Sequence, residues 1–276
     1  MCELLAISSQ LPTHTGFSLK KLTSHSQRVS GNKMSNPDGW GVAYYEGSDV
    51  TILREPQAAN ESKLVQFIEK NIPPTQLLIS HIRKATKGEL ALKNTHPFSR
   101  ELGGCMHVFA HNGHSKHIQK NMMLQSEHFL PIGDTDSEYA FCSLLEKLAL
   151  PWGNKQGEKP SLDERFKIVS KFAEQLIRLG PANFLYSDSN FLFVHADKRL
   201  QNDGFIKPPG LYLLTRECNA GIHHGLRKHG LNMTGQDTEL KQKITIIASV
   251  PLTDEEWHPI PQGEVLVFSK GKRILI

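Results

Sequence analysis

The sequence predicts an α+β domain built in layers, because β-type segments gather toward both ends of the chain and helical patterns lie mainly between them. These segments are short, rich in β-branched and aromatic residues, and bounded by turn residues. They cover residues 3–8, 41–45, 50–53, 77–82, 105–111, 191–196, 211–215, 244–249 and 264–269. Strands from the two ends pair only if the chain returns on itself, so we expect residues 1–276 to form a single domain.

Helices are predicted from apolar spacing and from start and stop signals. In residues 163–179 an apolar stripe recurs at helical intervals, and Gly180-Pro181 ends it. Residues 151–162 are predicted to form an exposed loop. Another helix is expected to begin near Ser18, where apolar residues share one face: Leu19, Leu22 and Val29.

The composition is typical of a globular protein, with 38% hydrophobic and 22% charged residues. Lys and Arg exceed Asp and Glu by 32 − 28 = 4, but the basic residues are scattered, so a nucleic-acid partner is not expected. The first apolar stretch ends at Ile7 with no Lys or Arg before it, and no later stretch approaches membrane-spanning length. We therefore expect a cytoplasmic protein without a membrane partner.

Cysteine usage argues against a disulfide framework or a zinc knot, because the cysteines are few and form no C-x-x-C pair. They are Cys2, Cys105, Cys142 and Cys218. The histidines at 111, 114 and 117 are spaced three apart, but Gly113 between the first two favours a turn over a helix face. We expect no metal and no cofactor.

The position of Cys2 directly behind Met1 suggests a nucleophile. If Met1 is removed, Cys2 carries a thiol and a free α-amino group, whose ordinary pKa is about 7.7–8.0. That amine can act as the base for its own thiol, as in enzymes with an amino-terminal threonine. The alternative interpretation is a small apolar residue in an edge strand, which is the commoner role for a cysteine near a terminus.

The segment SHIRKATKG (80–88) ends a strand at Arg83 and continues into a turn of small and polar residues. Arg83 offers a planar fork for a carboxylate, and Thr86 offers a hydroxyl. A surface Arg paired with an acid is the alternative. In NTHPF (94–98), His96 precedes a proline and is held extended. It is either a pocket residue or a histidine that closes a loop.

The segment VFAHNGHS (108–115) runs from a strand into Asn112-Gly113. Asn-Gly is a strong turn signal, so a hairpin or a strand-to-helix turn is one interpretation. The functional interpretation is an oxyanion hole, in which the Asn112 side-chain amide and the Gly113 N–H are the two donors.

An acidic residue follows in GDTDSE (133–138). Thr135 and Glu138 match a T-x-x-E capping box, which places Asp136 at the first position of a helix. The Asp136 carboxylate there stabilises the helix, or it binds the ammonium group of a substrate. With Cys2 as nucleophile and Arg83 on a carboxylate, these residues describe a pocket for an amino acid that has an acyl group on its tail. Glutamine is the obvious candidate.

The motifs, in this order, resemble those of the class II glutamine amidotransferases, and most closely the stand-alone YafJ-like branch. The motifs are Cys2, Arg83-x-Ala85-Thr86-x-Gly88, Asn94-x-His96-Pro97, His111-Asn112-Gly113 and Thr135-Asp136-x-Glu138. DGWGVAYY (38–45) and PLTDEEW (251–257) support that placement. The resemblance covers essentially the whole chain and implies the four-layer αββα sandwich of the N-terminal nucleophile hydrolases.

The resemblance also implies roles. Cys2 becomes the mature amino terminus and attacks the glutamine side-chain amide, and Asn112 and Gly113 stabilise the oxyanion. Arg83, Thr86 and Asp136 match glutamine-binding positions, and His96 matches a histidine that lines the pocket. Lys84 and Lys87 depart from the Trp and His of the glucosamine-phosphate synthases.

Three functions remain open at this stage. The first is a glutaminase that releases glutamate and hands ammonia to a separate synthase subunit, because the chain leaves no residues for a synthase domain. The second is a hydrolase of other γ-glutamyl amides that uses the same pocket. The third is a regulatory domain that binds glutamine or glutamate without turnover.

Overall fold

The computed structural model describes residues 2–17, 22, 38–71, 73–84, 88–153, 159–201, 203–219, 231–235 and 241–276. Its strands are β1 (Glu3–Phe17), β2 (Gly39–Glu46), β3 (Asp49–Glu55), β4 (Thr75–Arg83), β5 (Phe98–Leu102), β6 (Cys105–Gly113), β7 (Ala182–Ser187), β8 (Leu192–His195), β9 (Arg199–Leu200), β10 (Ile206–Lys207), β11 (Tyr212–Asn219), β12 (Leu231–Gly235), β13 (Lys241–Ala248), β14 (His258–Pro259), β15 (Val265–Ser269) and β16 (Lys272–Ile274). Its helices are α1 (Lys63–Asn71), α2 (Ile118–Asn121), α3 (Asp136–Gly153) and α4 (Leu162–Ile177).

Most strands form two antiparallel sheets. The larger sheet has the order β14-β11-β13-β1-β4-β2-β3, with β12 paired to the far end of β1. The smaller sheet has the order β16-β15-β8-β7-β6-β5, and β9 pairs with β10 as a separate ribbon. Strands from both ends of the chain therefore meet in each sheet, as the sequence predicts.

The sheets stack face to face, and helices cover their outer faces. Alternate residues of a strand point to opposite faces, so each strand supplies two layers of core. The layer between the sheets contains Leu4, Ala6, Ile79, Val108, Ala110, Leu185, Val194, Ile247 and Leu266. The larger sheet packs its other face on α1 and Leu22. The smaller sheet packs its other face on α3 and α4. The result is the predicted four-layer arrangement of helices, sheet, sheet and helices.

Two of the predicted boundaries change. The helix predicted at 163–179 is α4, which begins after an Ser161 N-cap with a complete capping box to Glu164. The exposed loop predicted at 151–162 is wrong at both ends, because α3 continues through Gly153 with Trp152 buried, and α4 begins at Leu162. Of the helix predicted near Ser18, only Leu22 lies within the described residues, and it is buried.

Candidate active site

Polar side chains replace apolar ones along one face of three strands, at the same end of the sandwich. On the face between the sheets the residues run Ala6, Leu4 and Cys2 along β1; Ile79, His81 and Arg83 along β4; and Val108, Ala110 and Asn112 along β6. Leu4 lies opposite His81 in the antiparallel pair of β1 and β4, so continuation of the register places Cys2 opposite Arg83. The order of residues along each strand thus gathers the thiol, the guanidinium and the amide.

Cys2 is partly exposed and is held by the backbone of Lys84. The Lys84 N–H donates to Cys2 Sγ at 3.2 Å, and the thiol lies 3.4 Å from the Lys84 carbonyl oxygen. Burial raises the pKa of the Cys2 thiol, while the Lys84 hydrogen bond and the Arg83 charge oppose that rise. The thiol therefore needs a base at neutral pH, since its surroundings favour the protonated form.

Asn112 connects the two sheets at the nucleophile. Its Nδ2 donates to the Cys2 carbonyl oxygen at 2.8 Å. An amide NH₂ carries two N–H groups, so one can hold Cys2 while the other points to a second acceptor. Of the two interpretations of Asn112-Gly113, the turn is wrong, because β6 continues through Gly113 in register with β7. The pair closes a strand end instead of forming a hairpin.

The Gly113 N–H points away from β7. His114 N–H donates to the Pro181 carbonyl at 3.0 Å, so this pair is hydrogen-bonded. Antiparallel ladders alternate hydrogen-bonded and non-hydrogen-bonded pairs, which makes Gly113 and Ala182 a non-hydrogen-bonded pair. A Cβ on Gly113 would lie 2.0 Å from the Pro181 oxygen, so only glycine fits. Phe109 is the last β6 residue that pairs with β5, so the β5 ladder does not reach the Gly113 N–H.

Arg83 is 3% exposed and ends β4 beside Cys2. Its Nη2 donates to the Gly88 carbonyl at 3.4 Å. Burial lowers the pKa of the Arg83 guanidinium, and the neighbouring Cys2 and Asp38 oppose that change. Thr86, the other predicted residue of this turn, lies outside the described residues.

His96 belongs to a group of buried imidazoles. Its ring centroid lies 4.2 Å from that of His81 and 4.4 Å from that of Phe98. Gly41 makes room for it, because a Cβ there would lie 2.1 Å from the His96 carbonyl oxygen. Burial lowers the pKa of His96 well below its usual range, and lowers the pKa of His81 to about 3.

His111 completes this group on the other face of β6. Its Nδ1 lies 2.9 Å from the Ser137 hydroxyl on α3. Burial lowers the pKa of His111 to about 4. The three imidazoles His81, His96 and His111 are therefore neutral at physiological pH, which leaves Arg83 as the charged partner among them.

Asp136 occupies the first turn of α3, as predicted. Its Oδ2 accepts from the Ser115 N–H at 2.6 Å and lies 3.4 Å from His114 Nδ1. Ser115 follows Asn112-Gly113 in the chain, so these contacts tie the predicted ammonium site to the predicted oxyanion site.

The capping box at the start of α3 is only half formed. The Thr135 hydroxyl accepts from the Glu138 N–H at 3.2 Å. The Glu138 carboxylate, however, accepts from Arg100 and from the Gly133 N–H, both at 2.6 Å. Glu138 therefore fixes the loop that precedes α3 instead of completing the cap.

Asn94 fastens the loops that surround the site. Its Oδ1 accepts from the Asp134 N–H at 2.8 Å, and its Nδ2 donates to the Glu89 carbonyl at 3.2 Å. Asn94 belongs to one of the sequence motifs. Its role, however, depends on a contact with Asp134, which is 40 residues away, and no local sequence pattern predicts that contact.

In the described ranges, no three His, Cys, Asp or Glu side chains are placed to hold a metal ion. None of the helices in those same ranges is both long and apolar enough to cross a bilayer.

The two stacked sheets with helices on both outer faces form the αββα sandwich of the N-terminal nucleophile hydrolases. The family model of the class II glutamine amidotransferases matches residues 1–276. A protein of Escherichia coli strain K12 named "Putative glutamine amidotransferase YafJ" is 32% identical over 276 residues, which cover 100% of both chains. The chain therefore belongs to the class II glutamine amidotransferase family.

Solved structures agree on the fold. The crystal structure of a predicted glutamine amidotransferase from Pseudomonas aeruginosa PA01 superimposes with a TM-score of 0.69 at 26% identity, covering 100% of both chains. The glutamine phosphoribosylpyrophosphate amidotransferase of B. subtilis superimposes with a TM-score of 0.57 at 16% identity, covering 99% of this chain and 48% of that one. The second likeness concerns the fold alone.

Proposed function

We propose that this protein hydrolyses the side-chain amide of glutamine through a thioester on Cys2, releasing ammonia and glutamate. One observation carries the proposal: the Cys2 thiol, the Arg83 guanidinium and the Asn112 amide converge at one end of the sandwich, with Asn112 bonded to Cys2 itself. Both sheets contribute, so the proposed catalytic unit is the whole of residues 1–276.

Removal of Met1 supplies the base in this mechanism. The new α-amine of Cys2 takes the thiol proton as Sγ attacks the amide carbon. It then gives that proton to the leaving nitrogen, and ammonia departs as the thioester forms. Water attacks the thioester next, with the same amine as base, and glutamate leaves with the thiol restored. A base is needed because burial raises the pKa of the Cys2 thiol.

Two donors meet the oxyanion of each tetrahedral intermediate. The first is the second N–H of the Asn112 amide, since the other N–H already holds the Cys2 carbonyl. The second is the Gly113 N–H, which points away from β7. Rigid donors of this kind stabilise charge without reorganising, and each one typically contributes about 10²–10³-fold to kcat.

Charged groups of the site bind the α-carboxylate and the α-ammonium of the substrate. Arg83 binds the α-carboxylate with its fork, and Asp136 binds the α-ammonium. Thr86 adds a hydroxyl at the position that the family motif implies, and His96 forms a neutral wall. A protonated histidine group would compete with Arg83 for the carboxylate, so the lowered pKa values of His81, His96 and His111 preserve the charge pattern.

A substrate panel tests the proposal. Glutamine alone should yield equimolar ammonia and glutamate, and γ-glutamyl dipeptides should react more slowly. Cleavage of the dipeptides without glutamine turnover would instead assign a γ-glutamyl hydrolase. Tight glutamate binding without turnover of either substrate would assign a regulatory binding domain. Ammonia released to solvent identifies no acceptor, so a separate synthase subunit is then sought by co-purification.

Intact mass spectrometry tests the nucleophile. The purified protein should lack the mass of Met1. Treatment with a diazoketone analogue of glutamine should add one label, and peptide mapping should place it on Cys2. Label on Cys105 or Cys142 would remove the basis of the mechanism.

A further inference from the structure

Besides the direct hydrogen bond from Asn112 to Cys2, a second series of polar contacts connects β6, which carries Asn112, to β1, which follows Cys2. It begins at Asn112, whose carbonyl accepts from Asn183 Nδ2 at 3.3 Å. The same Nδ2 donates to the Lys198 carbonyl at 3.0 Å, and Asn183 Oδ1 accepts from the Asp197 N–H at 2.7 Å. The route then passes to Arg199, whose Nη2 donates to Glu3 Oε1 at 2.8 Å.

The segment Asp197–Arg199 therefore makes hydrogen bonds to both sheets. On the smaller sheet, the Asp197 carboxylate accepts from the Ala182 N–H at 3.1 Å. On the larger sheet, Arg199 bonds Glu3 and the Ser249 carbonyl. Ser249 in turn accepts from the Leu4 N–H at 2.9 Å through its hydroxyl.

The residues that make these contacts are buried. The side chains of Glu3 and Arg199 are 0% and 3% exposed, and Asn183 and Asp197 are 1% and 2% exposed as residues. Burial raises the pKa of Glu3, and the Arg199 charge opposes that rise. A buried ion pair needs good geometry to offset its loss of hydration, so it tolerates little displacement of either partner.

We propose that the Asp197–Arg199 segment positions Cys2 relative to Asn112 and Gly113, with Arg199 and Asn183 as positioning residues for the amide hydrolysis. The inference rests on the proposed function. Cys2 precedes Glu3 directly, and Asn112 lies opposite Asn183 in register. A shift at either end of the segment therefore moves the nucleophile or the oxyanion donors, and a misplacement of about 1 Å can cost about 10²-fold in rate.

The chain offers a matched control at the opposite end of β7. Arg165 pairs with Asp188 at 2.8 Å, with side chains 7% and 0% exposed. The Arg199–Glu3 pair has the same distance of 2.8 Å and similar burial. Arg199→Lys and Arg165→Lys each keep the charge and lose the fork, so both perturb stability by the same mechanism. Only the first perturbs the proposed route.

Steady-state kinetics on the purified full chain decide between positioning and simple support. Arg199→Lys should lower kcat for glutamine about 10²-fold with KM nearly unchanged. Arg165→Lys should keep kcat close to wild type at a temperature where both variants are folded by circular dichroism. Equal losses in the two variants would overturn the proposal.

If Arg199→Lys does not fold, Gln262→Ala replaces it. Gln262 Nε2 holds Asp197 Oδ1 at 2.7 Å, and its loss should lower kcat less but in the same direction.

A thiol-labelling measurement separates this proposal from the proposed function. The rate at which iodoacetamide labels Cys2 is followed by peptide mass spectrometry, with no substrate present. Arg199→Lys should accelerate labelling because the thiol loses its fixed place beside the Lys84 backbone, and Arg165→Lys should not. If the wild type turns over no glutamine, the proposed function fails and this rate alone judges the positioning. Equal rates in wild type, Arg199→Lys and Arg165→Lys would then reject it.

Discussion

The space between the two sheets has an apolar middle and a polar end, although the same strands build both. In β4, Leu77 and Ile79 contact the other sheet through methyl groups, while His81 and Arg83 on the same face are polar. All four residues are buried. Two residues further along the same face of a strand, the side chains thus change from apolar core residues to residues of the candidate site.

The apolar middle therefore sets the distance between the two sheets, and the polar end holds the candidate site residues at that distance. Close-packed aliphatic groups resist displacement, so the residues between the sheets fix the distance between them. Hydrogen bonds such as that of Asn112 to Cys2, and the neutral form of the histidines, lower part of the free-energy cost of the polar groups buried at this end. Stability should therefore depend mainly on the middle and turnover mainly on the end.

The largest effect is expected at the end, at Cys2. Cys2→Ala should lower glutamine hydrolysis by more than about 10⁴-fold, because no other group forms the thioester. The unfolding transition should stay close to wild type, since a small side chain replaces a partly exposed one. Cys105→Ala, at the far end of β6, is the matched control and should retain activity. Loss of folding in Cys2→Ala would assign Cys2 a structural role.

The next effect is expected in the middle, two residues before His81. Ile79→Ala should lower the free energy of unfolding by about 2–5 kcal/mol, because it leaves a cavity between the sheets. Urea unfolding measures this change. The kcat of the folded fraction should remain near wild type. A large drop in kcat without a change in stability would show that the two regions are not separable.

A smaller effect is expected at Arg83. Arg83→Lys should raise KM for glutamine about tenfold, equal to about 1.4 kcal/mol, because one ammonium cannot reproduce a bidentate fork. Initial rates over a range of glutamine concentrations measure it. An unchanged KM would count against Arg83 as the carboxylate partner.

An effect of similar size per pH unit is expected at the buried histidines. His81 and His111 have folded pKa values of about 3 and 4, below the unfolded value of about 6.5. Such a group contributes stability above the unfolded pKa, and that contribution is lost as pH falls through 6 toward the folded pKa. Each histidine should lower the free energy of unfolding by up to about 1.4 kcal/mol per pH unit in this range.

Urea unfolding at intervals from pH 7 to pH 5 tests this expectation. His81→Phe keeps an aromatic ring next to His96 and removes one proton site, so its slope with pH should be shallower than that of the wild type. An identical slope in both proteins would mean that His81 is not buried neutral in the folded state.

Much of the fold and part of the site are legible in the sequence. Runs of β-branched and aromatic residues between turn residues predict the central strands, and the T-x-x-E signal predicts Asp136 at a helix start. β5 contains Arg100 and Glu101, and β7 directly follows the helix stop at Gly180-Pro181, so the sequence pattern predicts neither strand. α1 is not predicted either, and of the two interpretations of Asn112-Gly113 the turn is the wrong one.

The contacts that support the site are the part that sequence reasoning could not supply. Glu3 and Arg199 are 196 residues apart, and Asn112 and Asn183 are 71 apart. A single Asn or Arg in a loop has no period and no neighbour that marks it. The family motifs imply which residues face the substrate, whereas the contacts proposed to hold those residues in place become visible only when both sheets are assembled.

The place of β1 in the larger sheet has a consequence for biosynthesis. β1 lies between β4 and β13, and the Leu4–Ser249 contact that closes it spans 245 residues. A nascent chain on the ribosome therefore carries its first strand with one edge unpaired until nearly the whole polypeptide has emerged. The removal of Met1 that the proposed mechanism requires can therefore take place during translation, before β13 closes this edge and completes the surroundings of the Cys2 thiol.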